Sequence, residues 1–280
     1  MIDDILDFMQ LAGDIARGAQ NHLDTSTSYL KEEKITSLVT QTDLEISTLF
    51  RLFVERHFHD LNYVIIDEES IKNLGDNPMS AINQAEYQFI IDPIDGTLPY
   101  SCGQAMYGIS VGIFHRGKPY LGALYMPATG ELTYYDGSKV HLLRNAFQPE
   151  EENVEIDAGH CNNCPIIFGH PWNTPLTSDF RLSKAVFVDY YSAVVQLLYL
   201  VTNRARAYAC YMSLWDMAAG WAIGLALGIK LYRFGSGNEI TEIAAEDFDN
   251  NLHQKNVCVF CHPEDLPEMQ KIMAVARGLS

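Results

Sequence analysis

The chain has 280 residues, 48% of them hydrophobic and 20% charged, which is enough to bury a substantial core. Its 36 acidic side chains outnumber 19 basic ones and give a formal net charge of −17. Such a surface repels nucleic acid and anionic membranes, which are held mainly by Lys and Arg. An anionic small substrate is compatible with it where metal ions supply positive charge. The simpler interpretation is that the acidity only keeps the protein soluble.

The first half of the chain predicts two helices followed by two short buried strands. Apolar side chains at a 3.6-residue period mark a helix over residues 2–23, and a second helix is expected from Thr42, where Glu45 would complete a capping box. Apolar runs at 63–66 and 89–91 end in acids and read as strands. The acidic N-terminus does not resemble a secretory signal, and the apolar stretches at 186–201 and 217–229 are too short or too polar to span a membrane. The sequence therefore predicts a cytoplasmic protein.

Further along, residues 107–135 predict three antiparallel strands joined by turn sequences. The polar segment 148–163 predicts a boundary between an N-terminal lobe, residues 1–150, and a C-terminal lobe, residues 151–280, that together form one compact unit. Helices near 192–200 and from 217, with strands near 207–210, 230–233 and 258–261, are expected in the second lobe. Mixed helices and largely antiparallel strands predict an α+β layered fold.

Two C-x-x-C pairs, Cys161 with Cys164 and Cys258 with Cys261, could form a zinc site or a covalent haem attachment. Haem attachment requires export, and the pairs are about 90 residues apart, far beyond the usual spacing of a zinc finger. In a strand, Cys258 and Cys261 would face opposite sides and pack as small hydrophobes. The pattern favours structural thiols, with zinc as the alternative.

The segment Asp92-Pro93-Ile94-Asp95-Gly96-Thr97 is the strongest chemical signal in the chain. Asp92 ends a predicted buried strand, and Asp95 follows three residues later on a turn. Two carboxylates so close repel each other unless a proton or a cation lies between them. Gly96 and Thr97 would expose backbone N–H groups where an anion can bind. A tight turn without function is the alternative for this motif alone.

Two other segments also place acids at the ends of elements. Asp67-Glu68-Glu69-Ser70 follows an apolar strand, and Asp216 stands at the start of an apolar helix, where the helix dipole stabilises a negative charge. Taken singly, Asp216 reads as a helix N-cap. Three acidic element ends together indicate a cation site.

These three segments, in this order, resemble the inositol monophosphatase superfamily, which includes inositol monophosphatases, bisphosphate nucleotidases and fructose-1,6-bisphosphatases. The similarity extends to residues 38–43, 108–127, 192–194 and 206–208, so it covers roughly residues 5 to 275. It implies an α/β/α/β/α sandwich with largely antiparallel sheets, of the inositol monophosphatase and fructose bisphosphatase type. It also implies a homodimer and inhibition by lithium.

The resemblance implies that four acids and one carbonyl hold two or three Mg2+ ions: Glu68, Asp92, the Ile94 carbonyl, Asp95 and Asp216. All-oxygen ligands suit Mg2+, with Mn2+ as an alternative, better than zinc. Thr97, with Asp43 behind it, would orient the attacking water and accept its proton. Asp95 and the amides of Gly96 and Thr97 would bind the substrate phosphate, and Glu68 would share in catalysis through its ion.

The implied activity is Mg2+-dependent hydrolysis of a phosphate monoester, with an inositol monophosphate or a similar polyol or sugar phosphate as substrate. Departures from the family pattern fall on the alcohol side: no acid lies between Tyr208 and Trp215, and Leu98-Pro99-Tyr100 follows the D-G-T motif. The family's glycine-rich stretch after the central strands is replaced by Tyr135-Asp136-Gly137-Ser138-Lys139. Alternatives are a 3'(2'),5'-bisphosphate nucleotidase and, in another class, a catalytically inactive metal-binding regulatory protein.

Overall fold

Two β-sheets and three sets of helices alternate through the computed structural model, which describes residues 1–22, 41–75, 77–159, 164–169 and 185–276. The predicted residues 38–40 and Cys161 lie outside these ranges. The three largest hydrophobic clusters of the described residues occupy the spaces between the layers. Because each sheet and each helix must bury an apolar face against a neighbour, this alternation is a stable way to pack mixed elements.

Within the described residues, the first sheet has seven strands in sequence order. Among these strands the only parallel pairing joins the first two, and every later described neighbour is antiparallel. The strands are β1 (Tyr63–Asp67), β2 (Tyr87–Asp95), β3 (Gly108–His115), β4 (Lys118–Met126), β5 (Glu131–Tyr135), β6 (Val140–Arg144) and β7 (Glu152–Ile156). The strands predicted at 63–66, 89–91 and 107–135 are confirmed.

In the part of the chain that the structure describes, the second sheet has six strands in the order β12-β11-β13-β10-β8-β9, with parallel pairings only between β10 and β8 and between β8 and β9. The strands are β8 (Ile166–Gly169), β9 (Val186–Val188), β10 (Ala207–Cys210), β11 (Lys230–Arg233), β12 (Glu239–Ile240) and β13 (Cys258–Cys261). The first sheet includes β7 and so extends past residue 150, where the sequence predicted the lobes to divide. The chain crosses to the second sheet between Ile156 and Ile166.

Seven α-helices cover and separate the sheets within the described ranges. They are α1 (Ile2–Gln20), α2 (Gln41–Phe58), α3 (Pro78–Gln84), α4 (Thr97–Ser101), α5 (Ala193–Val201), α6 (Leu214–Ala226) and α7 (Leu266–Ala276). Helices α1 and α2 share a core with one face of the first sheet, α5 and α6 lie between the sheets, and α7 packs outside the second. This confirms the predicted α+β fold layered α/β/α/β/α, with largely antiparallel sheets.

Two glycines allow α6 to approach the first sheet closely. A methyl group on Gly112 of β3 would lie 2.7 Å from the Ala218 side chain, and one on Gly122 of β4 would lie 2.5 Å from the Ala219 carbonyl oxygen. Both distances are shorter than atoms tolerate, so larger residues would push the helix away. The start of α6, which carries Asp216, is therefore held against the strands that follow the Asp92–Asp95 segment.

The thiols of β13 lie on opposite faces of the second sheet, as the strand interpretation predicts. Cys258 packs in the core between the sheets, whereas Cys261 packs with α7 on the outer face. Both side chains are buried. Within the part of the chain that the structure describes, no helix is long and apolar enough to cross a membrane.

Candidate functional site

The parallel strands β1 and β2 end at the same edge of the first sheet and deliver acids there. Asp67 is paired with Ile91, and each of the two is followed directly by an acid, Glu68 and Asp92. Strand β2 continues through a register shift to Asp95, which is paired with Gly108. The apolar runs before each acid explain the arrangement, because they bury the strands and leave the polar residues at their ends.

Asp67 is buried but bound by local donors. Its Oδ2 accepts hydrogen bonds from the hydroxyls of Ser47 and Ser70 and from Arg51 Nη2 at 3.2 Å, and its Oδ1 accepts from the Glu69 amide at 3.1 Å. These four hydrogen bonds offset the free-energy cost of burying the carboxylate. Asp67 therefore holds α2 to the end of β1, and it is Glu68 that lies among the other acids.

Asp92, Asp95 and Asp216 form a tight group in which one carboxylate oxygen of each lies within 4.8 Å of the others. Asp92 and Asp95 are buried and Asp216 is partly exposed. Asp216 is the third residue of α6, and its Oδ2 accepts a hydrogen bond from the Ser213 amide at 2.9 Å. The interpretation that Asp216 is the N-cap of α6 is wrong, because Ser213 is the N-cap residue.

Asp95 is held by the start of α5. Its Oδ2 accepts a hydrogen bond from the Ser192 hydroxyl and another, of 2.6 Å, from the Val194 amide. Ser192 is the N-cap of α5, and its hydroxyl oxygen also accepts from the Val195 amide at 3.2 Å. Three remote parts of the chain, namely the end of β2, the start of α5 and the start of α6, thus meet at this carboxylate group.

Burial and mutual repulsion raise the pKa values of this group. The pKa of Glu68 rises to about 9, first through burial and then through the charges of Asp216 and other acids. Burial and Asp95 raise the pKa of Asp216 to about 7. Burial raises the pKa of Asp95 to about 6, although the Ser192 and Val194 hydrogen bonds oppose it. Asp92 has a pKa well above its usual range, through burial and then the charges of Glu68 and Asp95.

A divalent cation fits this group. Asp92 Oδ1 is buried and accepts no hydrogen bond from any described residue, so the carboxylate lacks compensation from the protein on that side. Clustered carboxylate oxygens are the ligands that hard cations such as Mg2+ prefer. No cluster of three or more acids, cysteines or histidines other than Asp92, Asp95 and Asp216 has metal-binding spacing in the described ranges. The chain therefore has an acidic cluster able to hold a metal ion.

The remaining predicted residues surround this cluster. Asp43, in the first turn of α2, is completely buried, and its charge adds to burial in raising the pKa values of Glu68, Glu69 and Asp92. Thr97 is the first residue of α4, and its hydroxyl donates a hydrogen bond of 3.1 Å to the Ile94 carbonyl.

Gly96 requires its glycine. It has φ +84°, and a methyl group on it would lie 2.9 Å from both the Met106 carbonyl oxygen and the Ser192 Cβ. The Gly96 turn therefore packs directly against the N-cap of α5. Ser192 was not predicted as a partner of Asp95, although a serine directly before the apolar run of α5 is an N-cap signal.

A model described as the inositol monophosphatase family matches residues 7–264. Among curated proteins, the Nus factor SuhB of Vibrio cholerae is 26% identical over 241 residues, covering 80% of this chain and 84% of that protein. The inositol-1-monophosphatase of Bacillus subtilis is 28% identical over 144 residues, covering 47% of this chain and 51% of that protein.

Solved structures share the fold over nearly the whole chain. An IMPase of Thermotoga maritima superposes with a TM-score of 0.71 at 20% identity, covering 99% of this chain and 98% of that one. Inositol monophosphatase II of Staphylococcus aureus gives a TM-score of 0.65 at 18% identity, covering 96% and 93%. At these identities the similarity shows the fold.

Proposed function

The chain belongs to the inositol monophosphatase family, and on that premise we propose that it is a Mg2+-dependent phosphatase of small phosphate monoesters. An inositol monophosphate or a similar polyol or sugar phosphate is the proposed substrate. The observation that carries the proposal is the cluster of Asp92, Asp95 and Asp216, whose oxygens lie within 4.8 Å of one another and include one buried oxygen without a hydrogen bond from the described residues. Such crowding is tolerable when cations neutralise it.

Two or three Mg2+ ions, or Mn2+ in their place, would be held by Glu68, Asp92, the Ile94 carbonyl, Asp95 and Asp216. Bound there, the ions supply positive charge that holds a phosphoryl group and lowers the pKa of a water molecule. The buried carboxylates keep bulk water from screening that charge. The acidic chain thereby gains a local site for an anionic substrate.

The turn after β2 would bind the substrate phosphate. The amides of Gly96 and Thr97 can donate hydrogen bonds to phosphoryl oxygens, while Asp95 fixes the turn through its bond to α5. Gly96 allows this close approach, since a side chain there would strike Ser192. The proposed role of these residues is to hold the ester in line with the attacking water.

Thr97 would orient that water and take up its proton while passing its own hydroxyl proton to the buried Asp43 carboxylate behind it. In the structure the Thr97 hydroxyl donates to the Ile94 carbonyl, so its lone pairs are left to accept. Water would attack phosphorus directly, without a phosphoenzyme. Acid quench of turnover with 32P-labelled substrate should leave no label on the protein, and a trapped phosphoaspartate would contradict the direct attack.

The test of the function is phosphate release over inositol phosphates, sugar phosphates, histidinol phosphate and 3'-phosphoadenosine 5'-phosphate, with and without Mg2+. Asp95→Asn should leave a folded protein with activity at least about 100-fold lower, as expected for loss of a metal ligand. Near-normal turnover by that variant, or turnover of the wild type in a chelator, would contradict the assignment.

A second candidate is a metal-binding regulatory protein without turnover. It is favoured by one observation, that the Vibrio cholerae relative is named a Nus factor. The same assay separates the two, because a regulatory protein would bind Mg2+ and stay folded yet release no phosphate from any substrate of the panel.

A further inference from the structure

Tyr100 connects the helix that begins with Thr97 to the helix that carries Asp43. It belongs to the Leu98-Pro99-Tyr100 segment, where the sequence departs from the family pattern. From the sequence alone, that departure is expected on the alcohol side of the substrate. The structure instead turns Tyr100 inwards, and its completely buried side chain exposes no surface to which an alcohol could bind. Tyr100 therefore needs another role.

The Tyr100 hydroxyl makes two hydrogen bonds, one to each of the neighbouring helices α1 and α2. It donates to the Ala16 carbonyl of α1 at 3.0 Å, and it hydrogen-bonds to the Thr42 hydroxyl of α2 at 3.1 Å. Within α4 itself, the Tyr100 amide donates to the Gly96 carbonyl at 2.9 Å. One side chain of α4 is thus bonded to both of the helices that cover this face of the first sheet.

Further contacts fix α4 and the Tyr100 ring in place. Gln20 Nε2, near the end of α1, donates to the Tyr100 carbonyl at 3.2 Å and to the Gln104 carbonyl at 2.9 Å. The Tyr100 ring packs edge-to-face against the Tyr107 ring, with the centroids 4.8 Å apart. Because a buried ring in a closely packed core keeps one position, the phenol oxygen is held in one place.

Thr42, the partner of this phenol in α2, directly precedes Asp43. Both residues lie in the first turn of α2, and both side chains are buried. Burial raises the pKa of the Tyr100 phenol, the Thr42 hydrogen bond lowers it, and the charge of Asp43 raises it, so Asp43 is close enough to act on the phenol. At the other end of the link, Thr97 is the first residue of α4. The bond between Tyr100 and Thr42 therefore joins the two helix starts that carry Thr97 and Asp43.

We infer that Tyr100 is a positioning residue, whose hydroxyl holds Asp43 where that carboxylate can receive the proton of Thr97. The inference rests on the proposed function. In that reaction the water oxygen bonds to phosphorus as the alcohol leaves, the water proton goes to the Thr97 oxygen, and the Thr97 hydroxyl proton goes to Asp43. Proton transfer needs heavy atoms within hydrogen-bond reach, and a misplacement of about 1 Å costs about 100-fold in rate. The bond between Tyr100 and Thr42 sets that reach.

The first arm of the test removes the link from each side and measures phosphate release by the full chain. Tyr100→Phe deletes both hydrogen bonds of the phenol, whereas Thr42→Val deletes only the bond to α2 and keeps the bond to Ala16. We expect each variant to lower kcat by about tenfold or more and to leave KM and the Mg2+ dependence unchanged, because neither side chain is a proposed ligand of phosphate or metal. An unchanged kcat in either variant would overturn the inference.

Tyr107→Phe is the matched control, because it removes a buried phenol hydroxyl from the adjacent ring. Tyr107 is completely buried, and its hydroxyl forms no hydrogen bond with any described residue. This variant should keep its kcat and should not lose stability, since it removes an unpaired polar group. Thr42→Ser keeps the hydroxyl that bonds to the phenol and should retain kcat. An equal loss of kcat in Tyr107→Phe would show that packing alone matters and would contradict the inference.

The second arm measures the surroundings of Asp43 without turnover. The full chain is labelled with aspartate that carries 13C at the side-chain carboxyl, and the resonance that is lost in Asp43→Asn is assigned to Asp43. At fixed pH and with Mg2+ present, that resonance should shift in Tyr100→Phe and in Thr42→Val and should stay in place in Tyr107→Phe. A resonance that is unchanged in either of the first two variants would overturn the inference, since the position of Asp43 would not depend on the phenol.

The outcomes for this inference and for the proposed function are separable. If an ester is hydrolysed with Mg2+ and kcat survives Tyr100→Phe, the phosphatase stands and the inference fails. If no ester is hydrolysed but the Asp43 resonance responds to Tyr100→Phe and to Thr42→Val, the placement of Asp43 by Tyr100 stands and the phosphatase fails. If no ester is hydrolysed and the resonance does not respond, both fail.

Discussion

Asp67 and Asp92 are two buried aspartates at the carboxyl ends of adjacent parallel strands, yet their surroundings are opposite. Asp67 accepts hydrogen bonds from Ser47, Arg51, Ser70 and the Glu69 amide. Asp92 lies among other carboxylates and keeps one buried oxygen to which no described residue donates a hydrogen bond. Both are 1% exposed, so burial alone does not distinguish them.

The difference is in what compensates the charge. Hydrogen-bond donors of the protein compensate the burial of the Asp67 carboxylate without any ligand. Burial and then the charges of the surrounding acids raise the pKa of Asp92, so it needs a proton or a cation. The contrast teaches that a buried acid indicates a cation site when its neighbours are other acids, and indicates a structural anchor when its neighbours are donors.

Replacing Asp92 should have the largest effect on activity. We expect Asp92→Asn to lower the rate of phosphate release by at least about 100-fold through loss of a metal ligand. The stability of the metal-free protein should not fall, because the substitution removes one charge from a repelling group. Phosphate release and urea unfolding in a chelator measure the two effects. A strongly destabilised Asp92→Asn protein would show that Asp92 is an anchor like Asp67.

The reciprocal substitution should act mainly on stability. Asp67→Asn removes the charge that Arg51 and two serine hydroxyls bind, so the free energy of unfolding should fall by about 1–3 kcal/mol. Urea unfolding of the metal-free protein measures the change, with Asp92→Asn as the matched isosteric control. An unchanged free energy of unfolding in Asp67→Asn would contradict the interpretation of Asp67 as a structural anchor.

The comparison also predicts how pH acts on the metal-free protein. The pKa values of Asp95, Asp216 and Glu68 are raised to about 6, 7 and 9, so the folded chain holds these protons more tightly than the unfolded chain. Their contribution to stability is complete below the ordinary carboxyl pKa and is lost as pH rises through those values. The thermal midpoint in a chelator should therefore fall between pH 6 and pH 9.

Mg2+ should offset that loss, because it replaces the protons that leave. We expect the gain in thermal midpoint on adding Mg2+ to be larger at pH 8 than at pH 6, measured in matched buffers at equal ionic strength. A gain that does not depend on pH would contradict proton and metal competition at the same acids.

Asp95 is intermediate between Asp67 and Asp92, because it accepts hydrogen bonds and also lies among other acids. Loss of its serine donor should therefore lower the free energy of unfolding by less than Asp67→Asn does. Ser192→Ala removes the hydroxyl that bonds to Asp95 and caps α5, at a cost of about 0.5–2 kcal/mol in unfolding free energy. Ser192→Thr retains a capping hydroxyl and is the matched control. If both variants unfold at the same denaturant concentration, the hydroxyl does not hold the two elements together.

Much of the fold and the strand-end acids could be predicted because they follow from local patterns. Apolar runs that end in acids mark β1 and β2, and helical periodicity marks α1. The sequence could not tell which acid of Asp67-Glu68-Glu69 joins the cluster, because two of the four donors that bind Asp67, Ser47 and Arg51, come from α2. The partnership of Ser192 with Asp95 spans 97 residues and likewise depends on tertiary packing.

The sequence also did not show where the chain crosses from the first sheet to the second, and the reason is different. Strand β7 lies at the edge of the first sheet and exposes residues on both faces, so its sequence is as polar as a linker. The division into two lobes remains a proposal, with the crossing after Ile156. The assignments of individual site residues also remain proposals that metal binding can test.

Mn2+ binding followed by electron paramagnetic resonance tests the central claim most directly. The wild-type chain should bind two or more ions, Asp67→Asn should bind the same number, and Asp92→Asn should lose at least one at the same Mn2+ concentration. A wild-type chain that binds no Mn2+, or an Asp92→Asn chain that binds as many ions as the wild type, would contradict the account.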